Sequence, residues 1–425
     1  MMERLLQTLF KELNRNVLYV VLRNFESLPF NIGNDLDLLI NPGDLNKAID
    51  ALNLSCEENG FRIIKTTRRY SYRGFYLVEN GGSEIILIDL FTGLFKAWRE
   101  YAAVDSILES RIYRNGFYSV RLEDELSTIV SKELLTYGKV RQKYEERFKY
   151  IFDQEDFSLS ACHYDFFTLK SRMDLSSVGS MQEFFVEREV QLRKGSLIKF
   201  LKYSFYRIEE LLLRLTKKPF TVVFVGPDGV GKSTMSEELR GLLAGNNFFS
   251  GVEVYHHRFD FMPQLNSFKI KQHDTSKLAK SIAAADDDVV VHSRPRTLMY
   301  MAYYGLDYLF GYLDLINRQI RGGATIFDRY LYDFHIQKSY KLVPSGWKNV
   351  YAKFFPSPSL IVFLYANPHI VVNRKRELSF NDHIEQNKVC IDLLRANRDK
   401  AIFCNCNESL ENSVIRMKKL ILARF

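Results

Sequence analysis

The chain has 425 residues, too many for one ordinary core and enough for two or three domains. Apolar residues make up 46% and charged residues 26%, a globular balance that excludes wholesale disorder. Lys and Arg number 59 against 51 Asp and Glu, a net +8 that suits any anion, from a phosphate to a membrane surface. No apolar run reaches the roughly 18 residues of a membrane span, and the opening MMERLLQTLFKEL has the spacing of an amphipathic helix rather than a signal peptide. The cysteines at 56, 162, 390, 404 and 406 form no disulfide framework, and Cys404 and Cys406 lack a second pair for zinc. The expectation is a reduced, cytoplasmic, multidomain protein.

Residues 1–105 mix short β-rich runs (Val17–Leu22, Leu36–Ile40, Tyr72–Val78, Glu84–Leu90) with Gly and Asn turns, the pattern of an α+β domain. Residues 106–216 read as a helical middle, with long stretches at Arg121–Phe152 and Met181–Arg193 around a polar segment at Ser158–Ser180. From 217 to 425 the apolar runs Thr221–Val225, Val252–Tyr255, Ala324–Phe327, Leu360–Tyr365 and Ala401–Cys404 alternate with helical stretches. Strands without polar alternation are covered on both faces, which predicts an α/β domain with a parallel sheet between two helical layers.

In the first zone, Asn34-Asp35-Leu36-Asp37-Leu38-Leu39-Ile40 places two carboxylates on one face of a strand. Side by side they repel, an arrangement that makes sense if divalent cations are shared between them. Asp89, at the end of the run EIILIDL, is the third candidate. Gly33, Asp35 and Asp37 in the form G-x-D-x-D, with a later strand Asp, resemble the DNA polymerase beta-type nucleotidyltransferase superfamily over residues 15–150. The resemblance implies that Asp35, Asp37 and Asp89 bind Mg²⁺ ions that activate a hydroxyl and steady a triphosphate leaving group. Arg23-Asn24 stands where that family has Gly-Ser. Active transfer, a domain that binds nucleotide without transferring it, and a polar strand edge are the three alternatives.

Residues 191–220 carry eight basic side chains against Glu209 and Glu210, most of the chain's net charge. Leu197, Phe200, Leu201, Phe205, Ile208, Leu211, Leu212 and Leu215 recur there at helical spacing. Such a helix packs on a neighbouring domain or makes a peripheral contact with an anionic membrane. No RNA or DNA module accompanies the charge, so nucleic acid is not an expected partner.

The sharpest motif is Gly226-Pro227-Asp228-Gly229-Val230-Gly231-Lys232-Ser233-Thr234, which fits G-x-x-x-x-G-K-[ST] between an apolar strand and a helical stretch. Glycines let successive backbone N–H groups turn toward phosphate oxygens at the positive end of a helix. Lys232 would reach the outer phosphates of ATP, and Ser233 would ligate Mg²⁺. Asp228 within the loop, and Asp328-Arg329-Tyr330 at the end of a later strand, resemble the thymidylate kinases and their relatives over residues 219–425. The resemblance implies that Asp328 holds the metal's water shell and Arg329 grips the acceptor or the transferred phosphate. It also implies that Arg374 and Arg376, in Asn373-Arg-Lys-Arg-Glu377, belong to a lid over the phosphates.

The acceptor is less legible. Tyr255-His256-His257-Arg258 stands where thymidylate kinases carry an Arg-Glu-Pro-Gly-like segment, and His292-Ser-Arg294-Pro-Arg296 precedes an aromatic helix at Leu298–Arg321. His257, Arg258 and Arg294 are the candidate acceptor contacts, suited to a phosphate or a sugar. His256 and His257 lack a third ligand at metal spacing. The expectation is a kinase acting on a small-molecule acceptor, fused to a metal-dependent nucleotidyltransferase. The alternatives are a nucleotidyltransferase of protein or RNA with the P-loop domain as sensor, and a nucleotide-gated scaffold.

Overall fold

The structure, a computed structural model, describes residues 1–33, 35–137, 140–154, 197–259, 261–262, 293–374 and 379–425. The chain divides into two compact units, Met1–Asn80 with Ile85–Leu211 (front) and Gly81–Glu84 with Leu212–Phe425 (rear).

In the front unit, α1 (Met2–Asn16) buries Leu5, Leu6, Leu9, Phe10 and Leu13, spaced three and four residues apart along one face. It is followed by β1 (Tyr19–Val21), β2 (Asp35–Ile40), α2 (Leu45–Glu58), β3 (Phe61–Arg69), β4 (Tyr72–Glu79) and β5 (Ile86–Phe91). Then come β6 (Leu94–Lys96), β7 (Arg99–Ala102), α3 (Val104–Glu109), β8 (Ile112–Arg114), β9 (Phe117–Ser119), α4 (Leu122–Tyr137), α5 (Glu145–Phe152) and α6 (Leu197–Leu215), whose residues from Leu212 are counted with the rear unit. Among the described residues a mixed seven-stranded sheet runs in the order β3-β4-β5-β2-β1-β9-β8. Two of its pairings build the site. β2 lies parallel to β5 with Asp37 opposite Asp89, and β4 lies antiparallel to β5 with Gly74 opposite Asp89.

Two local expectations change. The stretch Arg121–Phe152 is not one helix: α4 ends at Tyr137, and a 3-10 turn at Gln142–Tyr144 leads into α5. Gly138 is a poor helix former in the intervening sequence. Beyond it Arg141 clamps Glu133 through Nε and Nη2 at 2.6 and 2.7 Å, folding the chain back on α4. β3 is an added strand, and its Arg62, Lys65, Arg68 and Arg69 suit the sheet edge it occupies, where charge discourages further pairing. Met181–Arg193 and Ser158–Ser180 lie outside the described residues. α6 sets Phe200 and Tyr203 on the Trp98 ring, while Leu197, Leu201, Phe205, Ile208 and Leu212 are exposed.

The rear unit contains β10 (Phe220–Val225), α7 (Lys232–Ala244), β11 (Val252–His256), α8 (Arg294–Arg321), β12 (Ala324–Asp328) and α9 (Asp333–Ile336). α10 (Ser345–Lys353), β13 (Leu360–Tyr365), α11 (Pro368–Arg374), α12 (Phe380–Ala396), β14 (Ala401–Asn405) and α13 (Leu410–Leu422) complete it. The sheet order is β11-β12-β10-β13-β14, every neighbouring pair is parallel, and helices cover both faces. The three central strands β10, β12 and β13 are buried almost throughout, as their unalternated apolar runs predict, whereas the edge strands β11 and β14 expose Glu253, His256 and Phe403. Phe224 of β10 and His256 of β11 both pair with Asp328 of β12, so three strands end at one level. No helix among the described residues is long and apolar enough to cross a membrane.

Candidate functional site

In the rear unit, the chain leaves β10 at Val225 and enters the loop beside β13. A Cβ at Gly226 would lie 2.7 Å from the Leu364 carbonyl oxygen, so no side chain fits there. Gly231, at φ +100°, adopts the left-handed turn that starts α7. Lys232 follows, with 6% of its surface exposed. A buried ammonium must be paired. Its Nζ donates to the carbonyls of Gly226 and Pro227 at 3.0 and 2.9 Å and lies 3.4 Å from Asp228 Oδ1.

The next residue reaches across the sheet. Ser233 Oγ donates to Asp328 Oδ2 at 2.5 Å, and His256 Nδ1 is 3.2 Å from the same oxygen. Asp328 is 5% exposed, and its other oxygen, Oδ1, is buried without a hydrogen-bond partner. The Ser233 hydroxyl and the Asp328 carboxylate, one of whose oxygens is orphaned, are hard oxygen donors that fit Mg²⁺. Thr234 is exposed on the first turn of α7.

Arg329, immediately after β12, takes the uncommon φ of 76°. Its Nη2 donates to Asp228 Oδ1 at 2.5 Å, and its Nη1 is 3.5 Å from Asp333 Oδ2. Burial acts to lower its pKa, but Asp333, Asp228 and Asp328 together hold the guanidinium above its ordinary value. Direct contacts thus link Asp228 with Lys232 and Arg329, and Ser233 with Asp328, the two groups being joined by adjacency in the chain.

The acceptor candidates divide. His257 Nδ1 is 3.8 Å from Asp333 Oδ2, and its ring meets Tyr304 edge-on at 5.4 Å. Arg258 is buried, with its guanidinium 5.5 Å from the centre of the same Tyr304 ring and Nη1 on the Met262 carbonyl at 2.9 Å. Arg294 is tied elsewhere, donating from Nε to the Leu342 carbonyl at 3.0 Å. Arg374 is the last residue of α11, where the backbone alone is described, and Arg376 lies outside the described residues. Asp333 and Gln386 join the site unannounced. Asp333 anchors Arg329 and His257, and Gln386 Oε1 accepts from the Asp228 N–H at 3.2 Å. Asp333 follows Asp328 by five residues, a spacing that could have signalled it.

In the front unit, Asp35, Asp37 and Asp89 converge, with ligand oxygens all within 4.8 Å of one another. Burial, and then the Asp37 charge, push Asp89 up to about 7; the same two causes raise Asp35. Tyr72 donates its hydroxyl to Asp89 Oδ1 at 2.9 Å. Gly74 makes room for that contact, since a Cβ there would meet the Tyr72 hydroxyl at 2.3 Å. Arg23, which stood out in the sequence as a departure, pairs through Nε with Asp37 Oδ2 and lies 3.5 Å from Asp35 Oδ2 through Nη2.

The rear unit is thus an α/β domain, a parallel sheet between helical layers, with the glycine loop directly after β10 and Ser233 in contact with Asp328. No family model matches the chain, and no curated protein matches it. A solved structure similar to it, thymidylate kinase from Ehrlichia chaffeensis, aligns at 10% identity with a TM-score of 0.32, over 49% of this chain and 98% of that one. A likeness so distant carries no functional argument.

Proposed function

We propose that the rear unit is an ATP-dependent phosphotransferase that moves a phosphoryl group to a small acceptor, a nucleoside monophosphate or a sugar-type metabolite. The observation that carries this is the contact of Ser233 with Asp328 one residue from Lys232, at the level where three parallel strands end. Ser233 and Asp328 would hold Mg²⁺, which when bound screens the charge of the phosphate oxygens. The loop N–H groups bind the phosphates, and Lys232 exchanges loop carbonyls for phosphate oxygens, better partners for an ammonium. Arg329 exchanges Asp228 for the acceptor or the phosphate in transit. An acceptor oxygen forms its bond to the γ-phosphorus as the bond to the ADP oxygen breaks. Arg258 and His257, gathered on Tyr304, support an anionic acceptor beside β11.

The test is transfer of label from γ-labelled ATP to a panel of such acceptors by the full chain with Mg²⁺. Lys232→Ala should lower the rate by about 100-fold or more, since it removes a charge that acts on the transition state. Tight ATP binding with no turnover on any acceptor would overturn the reading and leave a nucleotide sensor or scaffold.

The convergence of Asp35, Asp37 and Asp89 favours a second activity, metal-dependent nucleotidyl transfer by the front unit. These carboxylates would hold the divalent cations, and α-labelled nucleoside triphosphates offered with hydroxyl-bearing, protein and RNA acceptors test it. An Asp35→Ala chain that labels an acceptor as well as the parent does would sink it.

A further inference from the structure

The front carboxylates already have a cation, and it belongs to the chain. β1 pairs antiparallel with β2, and the Leu22 N–H extends that pairing by donating to the Asp37 carbonyl at 2.9 Å. Arg23 is therefore delivered to the carboxylate cluster. Asn24, at φ 56°, turns the chain away immediately afterwards. The guanidinium bridges Asp37 and Asp35. Burial acts against its charge, yet Asp37 and Asp35 hold its pKa above the ordinary arginine value.

The match is incomplete. Asp37 is 3% exposed, and its Oδ1 has no hydrogen-bond partner, although a buried carboxylate oxygen normally finds one. Asp89 takes its hydrogen bond from Tyr72. A guanidinium is a single positive charge spread over a plane. A divalent cation carries twice that charge at a point and takes six or more oxygen ligands. The orphaned Asp37 oxygen and the three converging carboxylates suit the divalent ion better than the side chain now among them.

We propose that Arg23 is a tethered counter-cation that competes with divalent metal for the Asp35, Asp37 and Asp89 carboxylates. Metal enters as the guanidinium leaves, so an anion able to draw Arg23 away, such as a nucleoside triphosphate, loads the site. This rests on the cluster's being a cation site and holds whether or not the front unit transfers a nucleotidyl group.

The experiment uses the full chain carrying Ser233→Ala and Asp328→Asn, which removes the rear cation ligands. Mn²⁺ is titrated without nucleotide and followed by electron paramagnetic resonance. With Arg23 present, binding should be weak. Arg23→Gln should bind one ion per chain about tenfold more tightly or better, because a like charge a few ångströms away is gone. Adding Asp35→Asn should abolish that gain. Equal affinity with and without Arg23, or a gain that survives Asp35→Asn, overturns the proposal. Should Arg23→Gln unfold, Arg23→Met, uncharged and of similar reach, carries the same outcomes. Tight binding by the Arg23 chain itself, lost with Asp35→Asn, would overturn the proposal without any substitution at position 23. Each outcome is independent of phosphoryl transfer, which these chains are not asked to perform.

Discussion

Gly226 lies against the Leu364 carbonyl so closely that a methyl group must displace backbone rather than a pliable side chain. Gly226→Ala should cost about 1–3 kcal/mol in urea unfolding, the usual range for overpacking. It should also weaken ATP binding, because the loop that presents the N–H groups moves with it; unchanged binding would argue against that coupling. The loop was legible in the sequence because its requirements are local: glycines, Lys232 and Ser233 within nine consecutive positions. Arg23 was legible only as a residue out of place. Its partners lie 12 and 14 positions away, and the encounter depends on how β1 pairs with β2. Gln386 was missed for the same reason, lying 158 positions from Asp228, whereas Asp333, four positions from Arg329, was missed because it acts through that residue rather than through a motif of its own.

At the level of elements, α8 shows how an aromatic-rich helix reaches close packing. Gly311 presents bare backbone to Phe259, and a Cβ there would lie 2.0 Å from the ring. Phe259 in turn packs on Tyr308 and Phe327, so Gly311→Ala should lower the melting temperature, at a cost of about 1–3 kcal/mol. α9 offers a test by pH. Burial, with Lys348 nearby, pulls His335 from 6.5 down to about 4. The folded chain thus takes up this proton less readily than the unfolded chain. The stabilisation is fully present above pH 6.5 and is lost as pH falls toward 4. His335→Asn should flatten that limb of the stability curve, and an unaltered limb would assign the loss to other groups. The rear strands were legible because burial on both faces leaves runs such as LIVFLY without polar interruption. β3 was not, because FRIIKTTRR mixes Ile with Arg and Lys and shows no clean alternation.

For the molecule as a whole, the division into two compact units, each with its own cluster of carboxylates and cations, predicts separable activities. Lys232→Ala should abolish phosphoryl transfer and spare nucleotidyl transfer, whereas Asp35→Ala should do the reverse. Rates measured on both single variants and on the double variant check this, and mutual loss would show that the sites depend on each other. Charge illustrates what composition conceals at this scale. A net +8 gives no hint that Arg23, Lys232 and Arg329 are each held against carboxylates of their own unit. The pairing order of the strands was equally out of reach, because it depends on contacts between residues far apart in sequence.

The common level at which Phe224, His256 and Asp328 are aligned bears on how this chain can change over time. Successive residues of a strand face opposite sides, so losing one residue within β12 would turn its terminal carboxylate away from Ser233. Every amino-acid type of the proposed site would still be present, yet the contact of Ser233 with Asp328 would be lost. The interior of this sheet should therefore accept exchanges of one apolar residue for another far more readily than any change in length. Insertions and deletions should accumulate in the connections at the opposite end of the strands, making strand length, more than strand composition, the inherited constraint.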